Sequence, residues 1–165
     1  MSVLVQPEPI DSAKLYDDLL QSAGRKAGAV VTFTGLVRDI NEGGHVENLF
    51  IEHYPGMTEK TLAGIVDQAR TRWKLDDVVI VHRIGVMKPA DRIVFVGVSS
   101  AHRGDSFEAC EFMMDFLKTS APFWKKETSH VEGKCLQSQW LDERQSDRSR
   151  AARWEESAEN RKSAD

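Results

Sequence analysis

The stretch 92–126 constrains the fold more than any other part of this chain. An apolar, β-branched run, Arg92–Ser100, passes directly into Ala101-His102-Arg103-Gly104 and then into a helix-patterned segment at 105–119. That segment ends in Lys118-Thr119-Ser120-Ala121-Pro122-Phe123-Trp124-Lys125-Lys126. A strand that feeds straight into an amphipathic helix has to bury the helix against the sheet it has just left. Both ends of this helix are marked by cations, although the chain carries a formal net charge of −4. Helix N-termini attract anions through unpaired N–H groups and the macrodipole, and lysine is the cation whose pKa moves most readily on burial. The pattern suits a site for an anionic small molecule, with a lysine available for chemistry.

The remaining segments supply the sheet and its other helices. Ile10-Asp11-Ser12 can cap a short helix bearing Leu15, Leu19 and Leu20, with Gly24 after its end. The run 29–37, AVVTFTGLV, has strong β propensity. The stretch 39–44 carries turn residues and reads as a mobile loop. A strand is expected at 46–53, closed by Tyr54-Pro55-Gly56, and then a helix at 58–73 with Leu62, Ile65, Val66, Ala69 and Trp73 at helical spacing. Strands at 77–84 and 92–100 flank a turn at 88–91, and an extended segment at 122–128 precedes a final strand near 134–140. The order β-α-β-β-α-β from Val46, with one strand before and one after, predicts an α+β fold with helices packed on the sheet. One catalytic domain is expected over 1–140. Beyond Trp140 the chain is dominated by Arg, Glu, Asp and Ser, so 141–165 is expected to be a charged tail, solvated or ordered by a partner.

Composition removes several function classes. With 165 residues, 41% apolar and 29% charged, the chain is an ordinary globular domain. A pI near 5.8 argues against a nucleic-acid module, and no apolar run reaches membrane-spanning length. The start lacks a signal-peptide pattern, so the expected location is cytoplasmic. Cys110 and Cys135 have no metal-ligand spacing, and His45, His53, His82 and His130 are scattered, so neither a metal nor a cofactor is expected.

Within 105–119 a helical projection puts Phe107, Cys110, Met113, Met114, Phe116 and Leu117 on an apolar arc and Asp105, Glu108, Glu111 and Asp115 opposite. Lys118 falls at the boundary, beside an apolar wall that would lower its pKa in a closed site. The same lysine equally suits the plain task of complementing the helix dipole. His102 and Arg103 precede the helix, where Arg can hold a phosphate bidentately and His adds a donor; they are also what a surface loop with local pairs would carry. Arg38 leaves the first long strand just before the mobile loop, a common place for ligand contacts. On an extended segment Lys125 shares a face with Phe123, and Lys126 with Trp124. A lysine pair there also protects an edge strand from aggregation.

The blocks AVVTFTGLVR (29–38), EHYPGMTEKTL (52–62), HRIG (82–85), VFVGVSSAHR (94–103) and KTSAPFWKKE (118–127) together resemble the large, catalytic subunits of molybdopterin synthase. The resemblance covers roughly residues 28–140. It implies an α/β hammerhead-type fold with an additional antiparallel sheet. The implied activity is sulfur transfer: cyclic pyranopterin monophosphate becomes molybdopterin by gaining two sulfurs from the thiocarboxylate at the Gly-Gly C-terminus of a small ubiquitin-like subunit. The implied assembly is a homodimer of this chain inside a heterotetramer. Matching residue by residue, the resemblance makes Lys118 the essential active-site lysine and Lys125 a second catalytic lysine. It makes Arg38, His102 and Arg103 substrate-binding, with Leu36, Val37, Lys126 and Glu127 lining the site, Arg144 near the pocket and Phe33 at its edge. The rival reading from the residues is a non-catalytic sensor that binds a phosphorylated metabolite on a ferredoxin-like sheet. From Asp105 to Lys118 a helix advances about 20 Å, too far for one small pterin to touch both ends. The expected site is therefore composite, with His102-Arg103 of one subunit facing Lys118 of another.

Overall fold

The computed structural model describes residues 2–41, 44–130, 137–142 and 145–162. Its elements are β1 (Ser2–Gln6), α1 (Ser12–Ala23), β2 (Ala29–Leu36), β3 (Ile40–Asn41), β4 (Gly44–His53), α2 (Met57–Arg72), β5 (Leu75–Arg83), β6 (Gly85–Met87), β7 (Arg92–Ser100), α3 (Arg103–Ser120), β8 (Phe123–His130), β9 (Gln137–Leu141) and α4 (Gln145–Lys162). The first sheet has the order β1-β5-β7-β2, with β1 parallel to β5 and the other pairs antiparallel. The second is wholly antiparallel, β3-β4-β8-β9, with β6 also paired to β4. The α+β class and the additional antiparallel sheet are therefore both present.

Strict alternation along β5 and β7 explains how the first sheet is covered. Val79, Val81 and Phe95 face α1 and pack with Ile10 and Leu19. Val78, Ile80, Val94, Val96 and Val98 face α2 and α3 and pack with Leu62, Val66, Phe112 and Met113. The helix boundaries follow local chemistry. Asp11 caps α1 by accepting from Lys14 N at 3.1 Å, and Gly24, at φ 62°, ends it. The second sheet builds a smaller core from Val37, Val46, Leu49, Ile51 and Met87. Phe123 packs against both this core and the α2–α3 core, so it joins the two sheets.

Three expectations require correction. β1, β3 and β6 are short strands not expected from the sequence; β3 lies within the stretch expected to be a mobile loop. Phe107, placed on the apolar arc of α3, is exposed at 63%. The stretch 141–165, expected to be a charged tail solvated or ordered by a partner, carries the helix α4, whose first half docks on α3. Trp154 meets Trp73 and Phe112 edge-on, at centroid separations of 5.8 and 5.6 Å. Asp115, assigned to the polar arc, is consequently buried at 5%. Its carboxylate accepts from Trp154 Nε1 at 2.8 Å and Arg153 Nη2 at 3.1 Å. A buried carboxylate of this kind is stable because its partners replace the water it loses.

Candidate active site

Antiparallel pairing puts the expected site residues into two groups. β2 and β7 run in register from Ala29 opposite Ser100 to Gly35 opposite Val94. Arg38 therefore lies past the end of β2 where β7 begins, whereas His102 and Arg103 lie where β7 ends, about 25 Å away at roughly 3.3 Å per residue. α3 then runs back along the sheet, so Lys118, in its last turn, stands at the far end of the helix from Arg103.

At the His102–Arg103 end the backbone is tightly held. Ser100 Oγ donates to His102 O at 2.6 Å and lies 2.8 Å from Ser106 Oγ. Gly28 N–H donates to Ser100 O at 2.9 Å, and a Cβ at Gly28 would stand only 2.4 Å from Ala101 O. His102 occupies the N-cap position without its side chain capping the helix. His102 and Arg103 are both exposed, and among the described residues neither side chain makes a hydrogen bond or ion pair.

The other end is built from three elements. Arg38 is exposed and likewise has no side-chain partner among the described residues. Its neighbours differ: Val37 is buried in the second-sheet core, and Leu36 is exposed at 53%. Phe33 is exposed on β2. Lys118 is 45% exposed and pairs with Asp147 of α4, Nζ to Oδ1 3.5 Å. Neighbouring Arg150 and Arg153 bind Glu111 and Asp115 and so fix α4 above this turn.

β8 separates the remaining residues by face. Lys125 pairs across the sheet with Ile51 and Leu141, and Glu127 with Leu49 and Gln139, so both project toward the second-sheet core. Glu127 is buried at 6%. Phe123, on that same face, stacks on His82 at 3.8 Å and 18°. Burial, and next the charge of Lys125, push the His82 imidazole down to about 3. Its Nδ1 lies 2.9 Å from Arg83 O, a bond a neutral Nδ1–H ring can donate. Lys126 points the other way and lies over the Trp140 ring at 5.7 Å. The face assignments from sequence alternation thus hold, and they separate Lys126 from Lys125 and Glu127. Arg144 and Cys135 lie outside the described residues.

Cys110 is buried, and burial, followed by the nearby Glu111, pushes its thiol up to about 12, so it is a core residue. Among the described residues no cluster of His, Cys, Asp and Glu could hold a metal ion, and no helix is long and apolar enough to cross a membrane. Sequence reasoning missed Asp147, His82 and Thr58. Thr58 is fully buried; its hydroxyl accepts from Tyr54 N at 3.1 Å and donates to Pro122 O at 3.3 Å, tying the Tyr54-Pro55-Gly56 turn to the start of β8. The Thr within the EHYPGMTEKTL block was the available signal.

The fold and these residues define an α+β protein with cationic groups at both ends of one helix. The family model described as MoaE protein matches residues 5–120. A molybdopterin synthase catalytic subunit from Vibrio cholerae serotype O1 is 55% identical over 153 residues, spanning 93% of this chain and 97% of that protein. A solved structure of molybdopterin cofactor biosynthesis protein E from Burkholderia multivorans is 45% identical, with a TM-score of 0.74 over 93% of this chain and 95% of the other. A crystal structure of molybdopterin synthase from Staphylococcus aureus is 35% identical, with a TM-score of 0.74 over 84% of this chain and 95% of that chain. The chain belongs to the MoaE family, the catalytic subunits of molybdopterin synthase.

Proposed function

We propose that this chain converts cyclic pyranopterin monophosphate to molybdopterin, taking two sulfurs from the C-terminal thiocarboxylate of a small ubiquitin-like subunit. Family membership supports the reaction class. The observation that carries the site is the set of exposed cations, Arg38, His102 and Arg103, without side-chain partners among the described residues of a chain of net charge −4. Arginines without a partner among the described residues are available to a phosphate, which they bind through charge-assisted bonds.

In the proposed reaction the thiocarboxylate sulfur attacks a side-chain carbon of the pterin, forming a C–S bond as a C–O bond at that carbon breaks and the departing oxygen takes a proton. Water then cleaves the acyl–sulfur bond, leaving the sulfur on the pterin and a carboxylate on the partner. Lys118 is the central catalytic residue, acting on the proton inventory or on developing negative charge. Lys125 is the second, on the inner face of β8. Leu36, Val37, Lys126, Glu127 and Arg144 are proposed to line the site. The chain is proposed to work as a homodimer within a heterotetramer, in the cytoplasm. The separation of His102-Arg103 from Lys118 within one chain supports a composite site, each half supplied by a different subunit.

The test supplies thiocarboxylated partner and substrate to Lys118→Ala. Product formation is expected to fall at least about 100-fold, in line with removing a catalytic proton-transfer or charge-stabilising group. Near-normal turnover would remove Lys118 from its role. Binding of the pterin by the wild-type chain, with no turnover when the partner is added, would favour the sensor reading instead.

A further inference from the structure

We propose that Asp91 is a positioning residue for Arg38: it fixes the turn 88–91, and that turn fixes the backbone from which Arg38 reaches the substrate phosphate. The proposal rests on the reading of Arg38 as a phosphate ligand. The register of β2 with β7 breaks at the end of β2, where a residue of β7 is skipped and Leu36 faces Arg92. Beyond this bulge, Val37 is gripped through both of its backbone groups. Its N–H donates to Asp91 O at 2.9 Å, and its carbonyl accepts from Ala90 N at 2.9 Å.

The Val37 side chain is the third anchor, buried at 5% exposure among Val46, Leu49, Ile51 and Met87. With Val37 facing inward, an extended chain turns the residues on either side outward, and both Leu36 and Arg38 are exposed. Every constraint thus acts on the residue next to Arg38, while the guanidinium itself has no partner among the described residues. A ligand group that starts from a fixed backbone loses less freedom on binding.

The turn that supplies both bonds depends on the Asp91 carboxylate. Its Oδ2 accepts from Lys88 N at 2.9 Å and from Arg83 Nη1 at 3.2 Å. Asp91 N–H donates to Lys88 O at 3.0 Å, closing the turn from the other side. Arg83 is itself held, its Nε donating to Pro7 O at 3.2 Å. Ala90, between these contacts, has φ 70°, a left-handed conformation that residues with a Cβ seldom adopt. The surrounding bonds impose that conformation and, with it, the direction of the Ala90 N–H toward Val37.

The experiment is a double-mutant cycle in the reconstituted enzyme, measuring KM for cyclic pyranopterin monophosphate and kcat for wild type, D91A, R38A and the double variant. D91A is expected to raise KM about 3- to 10-fold, the loss of roughly one hydrogen bond's worth of binding, with kcat within about 2-fold of wild type. In the R38A background the Asp91 change should add nothing, because the ligand it positions is gone. D91N keeps an acceptor for Lys88 N and should restore KM. If D91A does not fold, D91E carries the same cycle, since it keeps the charge and moves the acceptor out by one methylene. An unchanged KM in the Asp91 variant, or an effect that multiplies with R38A, would overturn the positioning role while leaving Arg38 a ligand. An unchanged KM in R38A would overturn the phosphate reading of Arg38 and the positioning proposal with it.

Discussion

The two cationic groups of this chain differ in what their own fold does for them. At the His102–Arg103 end, serine hydroxyls and a close-packed glycine hold the backbone, yet the side chains are exposed and make no described contact. At the Lys118–Lys125 end, the chain engages its lysines: Asp147 pairs with the half-exposed Lys118, and Lys125 projects toward a core beneath Phe123 and His82. Fixed backbone with free heads is what a binding end needs, since the ligand supplies the missing partners. Lysines whose direction is set by neighbouring groups before substrate arrives are what a chemical step needs. The contrast also fits the proposed composite site, as the two ends are separated by the length of β7.

The strongest way to break the comparison is subunit mixing. Lys118→Ala and a His102→Ala/Arg103→Ala chain should each be inactive as homodimers. If the site is composite, randomly mixed dimers regain about a quarter of wild-type activity, because half are heterodimers and each has one intact site of two. Recovery of none, measured as molybdopterin formed with saturating partner, would place all three residues in a single-chain site.

A second comparison separates the ends by stability. Among the described side chains, α4 buttresses the Lys118 half of α3, through Trp154 against Trp73 and Phe112 and through the buried Asp115. Trp154→Ala should cost about 3 kcal/mol, the usual range for removing a large packed aromatic. It also strands the Asp115 carboxylate with one donor fewer. Urea unfolding should show the loss, and activity near the midpoint should fall with it. A change below about 0.5 kcal/mol would mean that α4 rests on α3 without supporting it.

Much of this arrangement was legible in the sequence, and the failures share one cause. The long strands and α1–α3 announce themselves through β-branched runs, caps and helical periodicity, and face alternation on β8 separated Lys125 from Lys126. α4 was not legible, because its segment is too charged to look like a packed helix. Its stability comes from Trp154 and from arginines that meet Glu111 and Asp115 across space, and a single-sequence pattern carries no sign of such pairing. Phe107 and Asp115 failed for the same reason: burial on α3 is decided by what α4 and the sheet cover, not by the helix's own periodicity. The five sequence blocks proposed the site residues through resemblance, and helix length already set His102-Arg103 apart from Lys118; strand register adds that Arg38 lies at the Lys118 end. His82 and Asp91 drew no notice in the sequence, because what they do in the fold lies in a stack and a turn rather than in a motif.

The smallest expected effect concerns pH, and it belongs to the Lys125 end alone. His82 is neutral in the fold, with its proton affinity lowered to about 3 mainly by burial and secondarily by Lys125 on β8, with His53 on β4 adding to the effect. The unfolded chain binds a proton at this histidine below about pH 6.5, while the folded chain does not until about 3. Stability therefore falls as pH drops through this interval and is flat above it, because the unfolded state takes up more protons there. A His82→Phe variant would keep an aromatic ring against Phe123 but cannot titrate. Between pH 7 and 5 the variant should therefore lose less stability than wild type in urea unfolding. Glu111 does not confuse that window: its hydrogen bond to Arg153 holds its carboxyl below the ordinary range, so its contribution is lost only at more acidic pH. Parallel losses in the two proteins between pH 7 and 5 would mean that His82 takes up its proton in the fold as readily as in the unfolded chain, and Lys125 would then face a second cation rather than a neutral ring.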